Sequence, residues 1–492
     1  MDCSSNRAES QPAESDAPPL CVDLDGTLIR TDTLWESMIL LLRKKPLDAA
    51  FMPMWLLGGK AAFKAQVAAR VTLSPAALPY HEGVLELLAA ERARGRRIVL
   101  VTAANEKIAS SVADHLNIFD EVIATTDTRN LRGAEKLNAL QARFAGGFDY
   151  IGDSAADLPV LAAAREAMLV NPSATTQREA EAAGNLTRTI ADKGSPLPLM
   201  IRAMRPHQWA KNVLLAVPLV TAHRIMDFEA VWSVALAMIA FSLIASGTYI
   251  LNDLFDLRAD RLHPHKCKRP FASGRLSIRT GIVMSALLVF AGGAIAALTM
   301  SGTFVAYMAL YVAVTIGYSL VFKAWMLLDV FVLAGFYALR IMAGAAAIPV
   351  EVSPWLLAFS LFFFLSLAFA KRYAELSARD ESEEGRLPGR RYERADMDIV
   401  RVIGPTNGYL AVLVFTLYIY SPEVRELYSR PDILWWTCPI LIYWVTRVWF
   451  LANRRELHHD PVVFALTDAQ SYFVGSLLAI VLILATLLGA PV

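Results

Sequence analysis

Apolar positions along this chain fall into two textures. From Leu20 to about Asp192, short apolar runs alternate with segments of helical periodicity, and charges recur throughout. Leu20–Val22, Ile98–Val101 and Tyr150–Ile151 are runs of the kind that buried strands make, and strands alternating with helices predict a parallel sheet. Past residue 200 the texture changes. Val231–Leu251 is 21 residues without a charge, and Thr280–Phe322 is 43, interrupted near Ser301-Gly302. Val352–Ala370, Val402–Pro422 and Tyr472–Val492 are further uncharged stretches, while Ala324–Val350 and Ile433–Ala452 are nearly so. A membrane-spanning helix needs about 20 such residues. Eight spans are predicted, with a shorter ninth near Val213–Ala222, just after Lys211.

Polar stretches divide the chain. Residues 1–19 are rich in Ser, Ala, Glu and Pro and lack the apolar stretch of a signal peptide, so a disordered tail is expected. Residues 20–190 form the expected α/β domain. Residues 191–204, with Gly194, Pro196 and Pro198, read as a linker, and 205–492 as an all-α polytopic membrane domain of about nine helices.

Composition agrees with a membrane protein: 55% hydrophobic, only 19% charged, mean hydropathy +0.41. The net charge of +1 hides a split. Residues 1–200 hold 21 Lys+Arg against 25 Asp+Glu, and the rest 26 against 21. That excess is too small to point to nucleic acid as a partner. Four scattered cysteines predict free thiols. Loops 252–280 and 371–401 carry seven and eight Lys+Arg, which predicts that they and the N-terminal domain are cytosolic, in a bacterial inner membrane.

Chemistry first shows at Asp23-Leu-Asp25-Gly26-Thr27, where an apolar strand runs into two carboxylates. Side chains two apart on an extended segment point the same way, here at the sheet edge where α/β proteins place their sites. Thr102 ends a second strand, Lys136 follows Gly133 at a helix start, and Gly152-Asp153-Ser-Ala-Ala-Asp157 ends a third. This order of elements resembles the four motifs of the haloacid dehalogenase superfamily, over residues 20–190. The resemblance implies a Rossmann-like α/β fold with a small helical cap at about 31–80 and a Mg²⁺-dependent phosphatase. It implies that Asp23 is the nucleophile, that Asp25 serves as acid and base, and that Thr102 and Lys136 hold the phosphoryl oxygens. Asp23, Asp25, Asp153 and Asp157 are the carboxylates expected around Mg²⁺. Trp35, Met38, Trp55 and Phe63 are expected in the cap's core.

The second site hypothesis lies where a membrane helix runs into Asn252-Asp253-Leu-Phe-Asp256-Leu-Arg-Ala-Asp260. Spacings of three and four put the aspartates on one helical face, and carboxylates at the end of a membrane helix predict a bound cation. Lys266-Cys-Lys-Arg269-Pro follows, a cluster of donors suited to a metal–diphosphate. This pattern resembles the UbiA superfamily of intramembrane prenyltransferases. The resemblance implies Mg²⁺ held by Asp253, Asp256 and Asp260, one site in addition to that of the soluble domain, with Asp253 and Asp256 central to catalysis.

Aromatic prenyltransferases of that superfamily carry a second Asp-rich motif, which is not found here. Its place holds Lys323 and a single Asp329. With Arg205, Lys211, Asn212, Asn252, Lys266, Arg269, Arg340, Lys371 and Arg372, these form the expected substrate-binding set, similar to the decaprenyl-phosphate phosphoribosyltransferase branch. Asp329 and Arg340 lie 11 residues apart, about 16 Å along a helix, too far for a direct bond. The resemblance implies phosphoribosyl diphosphate and a polyprenyl phosphate as substrates. The alternative is transfer of a prenyl group from its diphosphate to an aromatic ring, with the soluble half a separate phosphatase or a regulatory module. The mixed-charge loop Arg386–Arg401 and His458-His459-Asp460 are expected at the surface rather than in a site.

Overall fold

The computed structural model describes residues 17–192, 194–378, 391–421, 424, 428–457 and 461–487. By the density of internal contacts the chain forms two units. The first holds Met1–Ala203 and Asp253–Val283, and the second Met204–Asn252 and Met284–Val492.

The first unit is built on six parallel strands: β1 (Leu20–Val22), β2 (Ile98–Asn105), β3 (Glu121–Thr125), β4 (Asp149–Gly152), β5 (Ala167–Val170) and β6 (Leu186–Ile190). Their order is β3-β2-β1-β4-β5-β6, with Cys21 paired to Val99 on one side and Tyr150 on the other. Alternation sorts the strand residues onto two faces. Leu20, Val22 and Leu100 join one core, while Cys21, Val99 and Val101 join the other. A sheet covered on both faces accounts for uninterrupted apolar strands rather than alternating ones.

Between β1 and the next core helix lies the cap: α1 (Thr33–Lys44), α2 (Pro46–Ala49), α3 (Met52–Leu57) and α4 (Lys60–Arg70). Asp32 starts α1 by accepting hydrogen bonds from the Leu34 and Trp35 amides. Leu41, Ala49, Phe63, Val67 and Val71 form the cap's own core.

In the second unit and across its junctions with the first, eight helices among the described residues are long and apolar enough to cross a membrane: Phe228–Phe255, Ile278–Thr299, Gly302–Leu320, Leu328–Ala347, Pro354–Ser377, Arg394–Ile419, Pro431–Asn453 and Ala469–Thr486. The interruption at Ser301-Gly302 separates two of them, with the Ser301 hydroxyl accepting from the Phe304 amide. The ninth expected span is not of that kind. Pro206–Ala216 is a 3₁₀ helix and Val217–Thr221 a five-residue helix. Few apolar residues separate Lys211 from Arg224, and Pro218 interrupts the backbone ladder. Small residues let these helices approach closely. A side chain at Gly404 would overlap the Trp449 ring, whose Nε1 donates to Ser366 Oγ at 3.0 Å.

Cys21, Cys267 and Cys438 are free thiols. Residues 196–204 of the expected linker are helical. His458-His459-Asp460 and residues 386–390 of the mixed-charge loop lie outside the described residues.

Candidate functional sites

β1 ends at the point where the strand order reverses, and this edge carries the first site. Asp23 follows β1, its amide bonded to Ile151 O of β4. Asp153 follows β4. Gly26, at φ +83°, lets the two loops close, since a Cβ there would lie 2.1 Å from Asp153 Oδ2. Asp23, Asp153 and Asp157 each bring a carboxylate oxygen within 4.8 Å of the others. An all-oxygen, three-carboxylate set of this size suits Mg²⁺.

Lys136 extends into the cluster from the first turn of helix Ala134–Arg143. Its Nζ donates to Asp23 Oδ1 at 3.0 Å, Asp157 Oδ1 at 2.8 Å and Tyr150 OH at 2.8 Å. Burial opposes its charge, but Asp23 and Asp157 outweigh that and raise its pKa. Burial likewise opposes ionisation of Asp157. Lys136, with hydrogen bonds from Tyr150 and Ser154, outweighs burial and holds that carboxyl below the usual range. Asp23 differs: burial dominates and pushes it up to about 6, against the pull of Lys136. The lysine thus pairs most strongly with Asp157, leaving Asp23 the more basic carboxylate.

Asp25 is raised well above its ordinary value by burial and by Asp32. It was expected among the metal ligands, but it is not one of the three gathered carboxylates. Thr33 holds it instead, donating from N at 2.8 Å and from Oγ1 at 3.1 Å. A carboxyl that holds its proton more tightly than usual and is fixed by two donors suits acid and base work. Thr102 is fully buried and accepts from the Ala104 amide. The cavity wall there is made by Ala103, Ala104 and Asn105 rather than Thr102.

That cavity measures about 800 Å³. Met38 and Phe63, expected only in the cap's core, belong to that core and also line the cavity, while Trp35, expected in the core too, lines the cavity without joining the core. Lys64 of α4 lines it too, donating to Ala103 O at 2.6 Å and Asn130 Oδ1 at 2.9 Å. The sequence reading missed Lys64, Thr33 and Tyr150. Only the helical register of the cap hinted at the first.

The second group of carboxylates is arranged differently from the expectation of one helical face. The spanning helix stops at Phe255, and Asp256 caps a new short helix, Leu257–Arg261. Across the break the three side chains do not meet at one point: two converge on one arginine and the third faces another. Asp253 and Asp260 are buried and share Arg269, whose Nη1 lies 3.0 Å from one and 2.6 Å from the other. Asp256 meets Arg43 of α1 at 3.2 Å. Lys266 is exposed and Asn252 half-buried.

In the second unit, Arg340 is buried and Asn212 holds it. Its Nε donates to Asn212 Oδ1 at 2.9 Å, Nη1 to Phe336 O at 2.7 Å and Nη2 to Tyr311 OH at 3.3 Å. Its guanidinium stacks on the Phe241 and Tyr311 rings. Lys211 and Arg205 lie over the Tyr337 and Tyr249 rings. Lys323 and Lys371 are half-buried.

Asp329 and Arg372, both expected to meet substrate, are instead sealed from solvent and paired with each other at 2.7 Å. Tyr392 OH donates to Asp329 Oδ1 at 2.8 Å, and Arg372 also pairs with Glu375. A carboxylate buried in a membrane unit needs a cation, and one helix further on Arg372 supplies it.

Known proteins match both halves. Residues 213–476 match the UbiA prenyltransferase family, and residues 20–162 the haloacid dehalogenase-like hydrolases. Protein y4nM of Sinorhizobium fredii, described as uncharacterized, is 38% identical over 470 residues, 95% of this chain and 91% of that one. The nodulation protein NoeC of Azorhizobium caulinodans is 37% identical over 278 residues, covering 56% of this chain and 89% of NoeC. The decaprenyl-phosphate phosphoribosyltransferase of Mycolicibacterium smegmatis is 31% identical over 232 residues, 46% of this chain and 71% of that one.

Proposed function

Since this chain belongs to the UbiA prenyltransferase family and carries a haloacid dehalogenase-like domain, we propose that its membrane half transfers 5-phosphoribose from phosphoribosyl diphosphate to a polyprenyl phosphate, and that its N-terminal domain then removes the 5-phosphate. The observation that carries the choice of donor is the fate of Asp329. Where aromatic prenyltransferases would place a second acidic motif, the one carboxylate here is neutralised by Arg372 and Tyr392. Lysines and arginines dominate the rest of the expected substrate set, which suits a donor and an acceptor that both carry phosphate. The decaprenyl-phosphate phosphoribosyltransferase relative supports the same branch.

In the transfer, a phosphate oxygen of the lipid bonds to C1 of the ribose as the C1–O bond to diphosphate breaks. The acceptor is already ionised and needs no protein base. Asp253, Asp256 and Asp260 are the residues that would hold Mg²⁺. A Mg²⁺ held there would supply Lewis-acid neutralisation of the departing diphosphate's charge. Arg269 and Lys266 clamp diphosphate oxygens; Arg205, Lys211, Lys323, Arg340 and Lys371 take the remaining phosphates.

In the phosphatase step, a carboxylate oxygen of Asp23 bonds to phosphorus as the bond from phosphorus to the 5-oxygen breaks, and Asp25 gives its proton to that leaving oxygen. Asp25 then takes a proton from the water that releases phosphate. Lys136 stabilises the transferring oxygens, and Asp23, Asp153 and Asp157 would hold a second Mg²⁺. Tethering the two activities raises the effective concentration of the phosphorylated lipid at the phosphatase. The product would be a polyprenyl phosphoribose, made at the cytosolic face of a bacterial inner membrane.

The test incubates membranes containing the protein with Mg²⁺, labelled phosphoribosyl diphosphate and polyprenyl phosphate, and weighs the lipid products. A dephosphorylated pentose lipid is expected. Active membranes that prenylate an added aromatic acid and form no pentose lipid would overturn the reading.

A further inference from the structure

The cap carries an apolar surface that neither its own core nor the catalytic cavity accounts for. No residue of α3 is buried. Leu47 and Leu57 are 82% and 88% exposed, and Phe51, Met54 and Leu56 are each more than half exposed. Contiguous apolar side chains of this size, presented to water, mark an interaction surface. Lys44, Lys45 and Lys60 flank them and are exposed as well.

The position of this surface within the first unit identifies its partner. Arg43, in the last turn of α1, donates to Phe255 O at 2.6 Å, and Phe255 is the final residue of a membrane-spanning helix. At the other end of α1, Asp32 pairs with Arg279 at 2.7 Å, in the first turn of the next spanning helix. Glu36 pairs with Arg261 between these ends, at 2.5 Å. Helix α1 is therefore fastened to the connection between two helices long and apolar enough to cross a membrane, at the ends of both. Leu47 follows Arg43 by four residues, a reach of at most about 14 Å.

We propose that α2 and α3 rest on the lipid bilayer, with Leu47, Phe51, Met54 and Leu57 in its interfacial layer and Lys44, Lys45 and Lys60 against anionic headgroups. Short helices with an apolar face and flanking lysines bind membrane surfaces in this way. Leu56 and Lys60 also line the catalytic cavity, so its rim faces the lipid. A phosphomonoester anchored in the bilayer reaches Asp23 without leaving it. This use of the contact rests on the phosphatase reading above; the contact itself does not.

The experiment places the full chain in nanodiscs of phosphatidylcholine and phosphatidylglycerol. A nitroxide is attached at Leu57→Cys, or at Glu179→Cys as an exposed control, with Cys3→Ser, Cys267→Ser and Cys438→Ser in the background. At position 57 the label should collide more with oxygen than with a water-soluble nickel chelate, and the reverse is expected at 179. An aqueous signal at 57, or dipolar broadening showing a second copy on the patch, overturns the proposal. The Phe51→Ser/Leu57→Ser variant should then lose about tenfold on a phosphomonoester embedded in the nanodisc, and stay within about twofold on p-nitrophenyl phosphate, since only the first needs the bilayer contact. Equal losses on both would reject delivery through this face.

Discussion

Two sets of three carboxylates and a cation stand in the first unit, and they are put together in opposite ways. Asp23, Asp153 and Asp157 come from loops far apart in sequence, gathered by parallel strands and cross-linked by one buried lysine. Asp253, Asp256 and Asp260 come from eight consecutive residues, yet a helix break parts Asp256 from the other two, and arginines from two places hold them. A sheet edge fixes each side chain through the backbone of a different strand, so the geometry is set before any ligand arrives. A helix end has no such scaffold. Its carboxylates take their positions from the cations around them, here Arg43 and Arg269. The first set is fixed by the sheet, and the second by the side chains paired with it.

The largest effect expected from this contrast is a crossover. Asp23→Asn removes the nucleophile and should lower phosphatase turnover by on the order of 10³-fold or more, with transfer unchanged and the phosphorylated lipid accumulating. Asp253→Asn should abolish transfer and leave hydrolysis of a soluble phosphomonoester intact. Mass spectrometry of the lipids, with release of free phosphate, reads both. If either substitution removes both activities, the sites are not separable.

Stability sharpens the contrast next. Lys136→Met leaves Asp23 and Asp157 facing one another in a buried site, which should cost about 3–5 kcal/mol and lower the melting temperature of the first unit. Adding Asp157→Asn should restore part of that loss. Arg269→Met should cost less, because Arg269 is 28% exposed and water already screens part of its charge. Equal costs at the two positions would mean that the second set is as rigidly built as the first.

What the sequence made legible follows the same division. Motifs that end strands, such as Asp23, Asp153 and Lys136 at its helix start, could be placed because strand alternation and sheet topology fix where side chains go. Asp253, Asp256 and Asp260 could be found by spacing, but their arrangement could not. Periodicity assumes an unbroken helix, and the break at Asp256, whose side chain meets Arg43 while Arg269 holds the other two, leaves no mark in the spacing. Asp329 and Arg372 were visible as charges in apolar surroundings. Their pairing across two helices leaves no local trace, so both were read as substrate contacts. The Val213–Ala222 segment was apolar enough to suggest a span, but its short length and Pro218 decide otherwise.

The acid side of the phosphatase profile is a further check. Burial raises Asp23 to about 6, and only the carboxylate attacks phosphorus. Activity on a soluble phosphomonoester should therefore rise with pH to a plateau and fall about tenfold for each unit below the midpoint. That midpoint lies at or below 6, since a bound divalent cation favours the carboxylate further. Transfer, whose acceptor phosphate is ionised throughout, should not share this limb. A profile that falls as pH rises from 4 to 7 would contradict the assignment of Asp23.

The smallest effect tests whether pre-formation extends beyond the metal ligands. Thr33 starts α1 and holds Asp25 through two bonds, from N at 2.8 Å and from Oγ1 at 3.1 Å. Thr33→Val keeps the shape and the amide bond but removes the hydroxyl. One hydrogen bond to a charged group is worth about 1.5–3 kcal/mol at most, and the remaining amide limits the change, so a loss of about three- to tenfold in kcat/KM is expected. Thr33→Ser restores the donor and should recover activity, which a purely steric role for the side chain would not do. Asp25 is pushed up chiefly by burial, and the hydroxyl bond opposes that push. Its loss should therefore move the pKa assigned to Asp25 upward in the pH profile. If Thr33→Val lowers melting temperature without moving that pKa, Thr33 serves the fold of α1 and not the orientation of Asp25.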